Sequence, residues 1–188
     1  HRTPAAPAAG TNNGTSAPPE PLTVRPYKLL DYFGPDDASI YFARERESLL
    51  LASLIHGHRL TVLYGASGTG KTSLLLAGVL PRLQAAESGY LVIYVRLLES
   101  PGEAVRRQVR RKLGENDLPD QASLVAFLDK AVALLGQPLV LLLDQFEEFF
   151  LRCGDSQRAQ FGRELAEVLR LDLRRSHLIL SLREDFLA

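Results

Sequence analysis

The sequence of 188 residues contains one cysteine, four histidines and neither methionine nor tryptophan. The single cysteine, Cys153, excludes an internal disulfide framework, and so few histidines leave no set of His and Cys ligands for a metal cage. No apolar run approaches the roughly 20 residues that a membrane-spanning helix needs. The first residues also lack the basic and then apolar layout of a signal peptide. These absences predict a soluble, cytoplasmic globular domain without a membrane partner.

An excess of charge of either sign is lacking as well. The 22 basic and 22 acidic side chains cancel, so the formal net charge is zero. This balance argues against a general nucleic-acid or membrane-surface binder, since such proteins draw affinity from many uncompensated cations. The densest basic stretch, residues 106–112, could bind nucleic acid or an acidic partner. We interpret it as a solvated helix face, because no aromatic residues lie between its cations to stack on bases.

The first 26 residues differ from the rest of the chain. They hold six of the eleven prolines and no aromatic residue, so they bury too little apolar surface to offset the entropy of ordering them. We predict a flexible linker over residues 1–26 that joins an upstream domain, with a terminal tail that has no partner as the alternative. Residues 27–188 form one predicted domain, with a lead-in segment over 27–58 and a core over 59–188.

The core alternates short apolar runs with segments of helical spacing. Strands are predicted at 60–64, 91–95, 139–143 and 178–182, and helices at about 44–55, 70–80, 103–113, 123–135 and 158–169. Five consecutive apolar residues at 139–143 indicate a strand covered on both faces, as in a parallel sheet. The alternation predicts an α/β fold with a doubly wound, mostly parallel sheet. Pro81 is expected to stop or kink the helix that begins near residue 70.

The turn after the first predicted strand carries the strongest motif. Its residues satisfy G-x-x-x-x-G-K-[ST] and are Gly65, Ala66, Ser67, Gly68, Thr69, Gly70, Lys71 and Thr72. The glycines let the backbone bend until successive N–H groups point into one anion-binding hollow, which the positive end of the next helix also faces. Lys71 can place its ammonium on the β- and γ-phosphates of a nucleotide, and the Thr72 hydroxyl can bind Mg²⁺.

Acidic residues follow the third strand, where a parallel sheet places its sites. Asp144 comes directly after the apolar run and would hold Mg²⁺ through water. Glu147 and Glu148 are both close enough to orient or deprotonate an attacking water. The sequence does not separate them, and we choose Glu148 by a small margin. The alternative is that both only stabilise a helix start through its dipole.

A cation ends the fourth strand. Arg183 would lie beside the γ-phosphate in a doubly wound phosphate-loop sheet, where its guanidinium could sense whether that phosphate is present. The alternative is a surface salt bridge with one of the two acidic residues that follow it. Arg183 is therefore a candidate sensor whose role depends on where its side chain points.

Four stretches resemble the STAND class of P-loop NTPases, in particular its novel STAND group of large, mostly bacterial signalling proteins. They are the lead-in 27–33 with 42–45, the extended phosphate loop 65–83, the strand region 139–149 and the strand region 178–187. The resemblance implies an ASCE-type domain that binds ATP or ADP with Mg²⁺. Carried over by position, it implies Ser73 beside the loop residues at the phosphates, Phe42 and Arg44 near the base and ribose, Thr72 and Asp144 on Mg²⁺, Glu147 or Glu148 in hydrolysis, and Arg183 as sensor.

Two departures from the family pattern stand out. Ala43 occupies a position where the family usually has glycine, and alanine would be strained there if the backbone φ is positive. The family's cores also usually continue through a fifth strand and helical segments, so we expect the domain to be incomplete at its C-terminus.

The resemblance implies an ATP-binding, slowly hydrolysing switch module whose partners are other domains of a larger chain and other protomers. A motor-type ring ATPase and a non-hydrolysing, nucleotide-bound interaction module are the alternatives. A motor-type ring would need an arginine supplied to a neighbour's site, and we identify no such arginine in the sequence.

Overall fold

The computed structural model describes residues 31–85, 89–98, 100–114, 118–119, 123–170 and 176–187. The predicted linker over residues 1–26 lies outside the described residues. The described part of the lead-in contains a 3₁₀ helix, Pro35–Ile40, and a longer helix, α1, Glu45–Gly57. This lead-in precedes the sheet that carries the site.

Four parallel strands form the sheet. They are β1 Leu60–Gly65, β2 Leu91–Arg96, β3 Leu139–Asp144 and β4 Ser176–Arg183, in the spatial order β1-β4-β3-β2. The predicted parallel α/β sheet is therefore confirmed. The pairing register sets Gly65 opposite Arg183 and Arg96 opposite Asp144. Because all four strands run the same way, these residues meet at one edge, the carboxyl edge of the sheet.

Helices cover both faces of the sheet. The helices that follow β2 are α4 Pro101–Leu113, α5 Leu124–Leu135, α6 Phe146–Arg152 and α7 Asp155–Arg170, and they pack on one face. Helix α1 and the helix after β1 pack on the other face. Strand β3 is buried along its whole length, because its alternate residues contribute to the two separate cores. This two-sided burial explains its uninterrupted apolar sequence. No helix among the described ranges is both long and apolar enough to cross a bilayer.

The helix after β1 runs through Pro81 instead of stopping there. It consists of α2 Lys71–Ser73, a π-helical segment Leu74–Val79 and α3 Leu80–Gln84, which follow one another without a break and are called the P-loop helix below. Of the two expected outcomes, a stop or a kink, the stop was wrong, because the π segment changes the hydrogen-bond spacing, with the Leu80 N–H donating to the Leu75 carbonyl. Pro81 then lies in the first turn of α3, where a missing N–H is tolerated.

The basic stretch on α4 is divided by packing. Arg106 is buried, and its guanidinium lies 5.6 Å from the centre of the Phe127 ring. Arg110 approaches the same ring at 5.2 Å. Both therefore pack against α5, while Arg107, Arg111 and Lys112 are exposed to solvent. The interpretation as a solvated face holds for these three exposed cations only.

Replacing Gly78 by alanine should destabilise the fold. A Cβ at this position would lie 2.3 Å from Ser48 Oγ and 3.2 Å from Ser48 Cβ, because α1 packs closely against the π segment. Ser48 is buried and donates to the Arg44 carbonyl at 2.7 Å, so its side chain has little room to move. We expect the free energy of unfolding to fall by about 1–3 kcal/mol, as for other overpacked cores.

Urea denaturation of Gly78→Ala measures this loss. The double variant Ser48→Ala/Gly78→Ala is the matched control, because it removes the hydroxyl that the new methyl group meets. The double variant should recover much of the lost stability. A wild-type urea midpoint for Gly78→Ala alone would contradict the close approach of α1 and the P-loop helix.

Candidate functional site

The loop between β1 and the P-loop helix closes on itself. Gly68 and Gly70 have φ angles of 77° and 81°, which side-chain-bearing residues rarely adopt. The Thr69 hydroxyl donates to the Ala66 carbonyl at 2.9 Å, and this bond ties the two ends of the turn together. Gly68 and Gly70 are thus required by the backbone path of the loop.

Lys71 opens the P-loop helix and folds back over this loop. Its ammonium donates to the Gly65 carbonyl at 2.8 Å and to the Ala66 carbonyl at 2.9 Å. Both partners are neutral, so neither compensates the lysine's positive charge. The ammonium therefore lies at the edge of the loop, bound to two carbonyl groups that an anion could replace.

The two residues predicted to bind Mg²⁺ are in direct contact. The Thr72 hydroxyl donates to Asp144 Oδ2 at 2.7 Å, although 72 positions separate the two residues in the chain. Asp144 is 1% exposed, so its carboxylate depends on hydrogen bonds from protein groups in place of water. Tyr94 of β2 donates a second hydrogen bond to the same oxygen at 2.9 Å. Burial and the neighbouring Asp144 raise the pKa of Tyr94 well above its usual value, so its phenol stays protonated.

The two candidate glutamates occupy different environments. Glu147 is 8% exposed and lines the cleft in front of the P-loop, and its buried Oε2 atom has no hydrogen-bond partner among the residues that the structure describes. Glu148 instead forms an ion pair with Arg152, one turn further along α6, at 2.5 Å. The structure therefore brings Glu147, and not Glu148, to the phosphate cleft.

Gln145 determines how α6 leaves β3. It has a φ angle of 55°, in the left-handed region, and it directly precedes the first helical residue. Its side-chain oxygen accepts a hydrogen bond from Arg96 Nε at 2.5 Å. This abrupt turn directs Glu147 into the cleft, and Gln145 itself lines the cleft. Sequence reasoning missed Gln145, although its place directly after Asp144 at the end of a strand was an available signal.

Arg183 forms the salt bridge that the sequence analysis gave as one alternative, and it also lies at the cleft. It lines the cleft, opposite Gly65 in the β1–β4 register. Its guanidinium also donates to both oxygens of Asp185, at 3.0 and 2.5 Å, and lies 5.7 Å from the centre of the Phe186 ring. Arg183 thus faces the site while held by an acidic neighbour.

Together these residues line a cleft of about 520 Å³ at the carboxyl edge of the sheet. Its wall on the lead-in side consists of Asp31, Tyr32 and Phe33. The Phe33 N–H donates to Ser73 Oγ at 3.1 Å, so the lead-in is bonded directly to the P-loop helix. The predicted phosphate residue Ser73 therefore anchors this wall. Sequence reasoning missed the roles of residues 31–33, for which the aromatic residues of the lead-in were the available signal.

The predicted base and ribose residues lie elsewhere. Phe42 is 70% exposed, and Arg44 pairs with Glu47 at 3.5 Å. Neither of them lines the cleft. Ala43, between them, has a φ angle of 67°. This φ angle is in the left-handed region, which is the condition under which the sequence analysis expected strain at a position where the family usually has glycine. Alanine is therefore strained here.

The geometry agrees with a comparison against known families. The model of the family described as Novel STAND NTPase 1 matches residues 26–188, which is most of the chain. The chain belongs to the novel STAND NTPase 1 family. It is therefore a P-loop NTPase of the STAND class, and the predicted recognition is confirmed. No curated protein matches this STAND domain.

Two solved structures are similar to the STAND domain in fold. The ORC2 protein of Aeropyrum pernix, solved as ADPNP–ADP complexes, has a TM-score of 0.62 and 19% identity over 82% of this chain. The Walker-type ATPase PABY2304 of Pyrococcus abyssi has a TM-score of 0.57 and 17% identity over 84% of this chain. The match covers 44% and 49% of those chains, so the STAND domain spans less than half the length of either protein.

Proposed function

We propose that this domain binds ATP together with Mg²⁺, hydrolyses it slowly and acts as a regulatory switch within a larger signalling protein. The observation that carries the proposal is the Thr72–Asp144 hydrogen bond of 2.7 Å beside a closed phosphate loop. It brings a hydroxyl and a carboxylate, which are oxygen ligands of the type that Mg²⁺ prefers, to the place where Lys71 can meet the phosphates.

Three observations support adenine as the base. The ORC2 protein of Aeropyrum pernix, which shares the fold, was solved with ADPNP and ADP. The sequence contains no N-K-x-D segment of the kind that reads guanine. The family resemblance implies ATP or ADP as well. Of the cleft-lining residues, Tyr32 is 46% exposed and offers an aromatic surface.

The described residues fit a Mg²⁺ ion by their chemistry. Thr72 and Asp144 would hold it, and the unpartnered Oε2 of Glu147 is a further buried oxygen in the same cleft. When bound, Mg²⁺ neutralises charge on the β- and γ-phosphate oxygens and orients them. The remaining steps are the work of the chain's own side chains.

Each side chain has a distinct task in hydrolysis. Lys71 exchanges its two carbonyl partners for phosphate oxygens. Glu147 accepts a proton from the water whose oxygen attacks the γ-phosphorus, while the bond from that phosphorus to the ADP oxygen breaks. The buried Oε2 of Glu147 accepts no hydrogen bond from the described residues, whereas the carboxylate of Glu148 is paired with Arg152. Glu147 is therefore the better-placed proton acceptor. For this reason we assign the role to Glu147 in place of Glu148.

Arg183 connects the nucleotide state to conformation. We propose that its guanidinium turns the Nε and Nη2 donors that now hold Asp185 toward a bound γ-phosphate. Loss of the phosphate on hydrolysis returns it to Asp185, which changes the contacts at the end of β4. Such phosphate-dependent contacts are a common basis for switching between ordered and relaxed loops. The position of Arg183, at the cleft and paired with Asp185, is the observation on which we base a switch role in place of a permanently bound nucleotide.

A binding and turnover experiment tests the proposal. Calorimetry should detect ATP binding that is strengthened by Mg²⁺ and is tighter than GTP binding. Phosphate release should be slow compared with the roughly 1–10³ per second that is typical of enzymes, and independent of protein concentration. Rapid turnover that rises steeply with protein concentration would favour a motor-type ring. Nucleotide retained through purification with no phosphate release would favour an interaction module. Absence of ATP binding would refute the proposal.

A further inference from the structure

Asp144 receives two hydrogen bonds on one of its oxygens. The Thr72 hydroxyl donates to Oδ2 at 2.7 Å, and the Tyr94 hydroxyl donates to the same atom at 2.9 Å. Neither bond uses Oδ1. The carboxylate is 1% exposed, so these donors determine its orientation in place of solvent. The second donor, Tyr94, belongs neither to the phosphate loop nor to the acidic strand.

The sheet itself brings Tyr94 to this carboxylate. In the β2–β3 register Tyr94 is opposite Leu142, two residues before Asp144 on the same strand. Residues two apart on a strand point to the same face, so Tyr94, Leu142 and Asp144 share the face that the P-loop helix covers. The 2.9 Å hydrogen bond shows that the tyrosine side chain spans this diagonal offset between the two parallel strands. The contact is therefore a consequence of strand pairing and does not depend on a flexible loop.

We propose that Tyr94 is a positioning residue for the Mg²⁺ site: its hydroxyl fixes one oxygen of Asp144 so that the other is presented to the metal. This inference rests on the proposed function. The torsion that rotates a carboxylate about its last bond is soft, so a single hydrogen bond leaves its orientation loosely defined. Two donors on one oxygen define it. The Thr72 hydroxyl is itself a candidate ligand, whereas the Tyr94 bond serves only the carboxylate.

Partners of this kind affect metal affinity without touching the metal. Removing a group that hydrogen-bonds to a metal-ligating side chain and orients it changes metal affinity by about 10–100-fold. Tyr94 should therefore influence Mg²⁺ binding and leave contacts between the phosphate loop and the nucleotide intact. This separation distinguishes a positioning role from a general role in folding.

The experiment compares Tyr94→Phe with Tyr90→Phe. Tyr90 is the matched control, since its hydroxyl bonds to His56 Nδ1 at 2.9 Å, at the opposite end of β2 from Asp144. ATP affinity is measured by calorimetry in EDTA and over a series of Mg²⁺ concentrations. For Tyr94→Phe, the Mg²⁺ concentration giving half of the increase in affinity should rise about tenfold. The affinity in EDTA should stay within about twofold of wild type, and Tyr90→Phe should match wild type in both conditions.

A double-mutant cycle with Asp144→Asn makes the test specific. If Tyr94 acts through the carboxylate, adding Tyr94→Phe to Asp144→Asn should change the Mg²⁺ dependence no further. A wild-type Mg²⁺ dependence for Tyr94→Phe would overturn the inference, as would an equal loss of affinity in EDTA and in Mg²⁺. Failure of the proposed function has a different signature, in which Lys71→Ala binds ATP as well as wild type does.

Discussion

Replacing Lys71 by alanine should abolish measurable ATP binding. The ammonium donates two hydrogen bonds to loop carbonyls, and we expect it to transfer them to the β- and γ-phosphates. Hydrogen bonds to charged groups contribute about 1.5–3 kcal/mol each, so losing two of them costs about 3–6 kcal/mol. At 1.4 kcal/mol per factor of ten, ATP affinity should fall by at least about 100-fold. Calorimetric titration with ATP and Mg²⁺ measures this loss.

Lys130→Ala is the matched control for the loss of one lysine. Lys130 is exposed on α5, on the face of the sheet away from the P-loop helix, and does not line the cleft. It should bind ATP like the wild type and have nearly the same thermal stability. Equal ATP affinity in the Lys71→Ala variant and the wild type would mean that the loop does not bind the triphosphate, and the proposed function would fail.

Replacing Glu147 by glutamine should stop hydrolysis while preserving ATP binding. Glutamine keeps the size of the side chain but cannot accept the proton of the attacking water. General base catalysis contributes about 10²–10⁴-fold to a rate, so single-turnover phosphate release should fall by at least about 100-fold. Because the buried Oε2 has no partner among the described residues, the substitution breaks no observed hydrogen bond of that atom. We therefore expect the variant to remain folded and to retain ATP.

Glu148→Gln is the control that separates the two neighbouring acids. It weakens only the ion pair with Arg152, a partly exposed pair of a type that contributes about 0–1 kcal/mol. Its hydrolysis rate should stay within a few-fold of wild type. If Glu148→Gln slowed phosphate release more than Glu147→Gln did, Glu148 would be the proton acceptor and the side chains would have to rearrange when nucleotide binds.

Features that depend on neighbouring residues could be predicted from the sequence. The apolar run 139–143 indicated a strand buried on both faces. Alternate residues of a strand point to opposite faces, so a strand that is buried on both faces is apolar at every position. The phosphate loop was predictable for a similar reason. The positive φ angles at positions 68 and 70 favour glycine, so the loop conformation could be inferred from Gly68 and Gly70 in the sequence.

Features that depend on distant packing could not be predicted in the same way. Glu147 and Glu148 are adjacent in sequence, and which of them faces the cleft depends on the left-handed turn at Gln145. The contact between Phe33 and Ser73 joins residues 40 positions apart, so no local pattern records it. The hydrogen bond from Tyr94 to Asp144 depends on β2 lying beside β3, and alternation along β2 indicated only a core-facing tyrosine.

The order of the strands has a consequence for biosynthesis. In the described sheet β1 is the first strand in the chain, yet its partner β4 is the last, and the loop after β1 also needs Asp144 for its Thr72 bond. A ribosome therefore has to synthesise the chain through β4 before the cleft at the carboxyl edge of this sheet can close, and such distant pairings form slowly. A newly made chain should consequently remain open to proteases at β1 until late, and ATP that binds the closed form would shorten that vulnerable period.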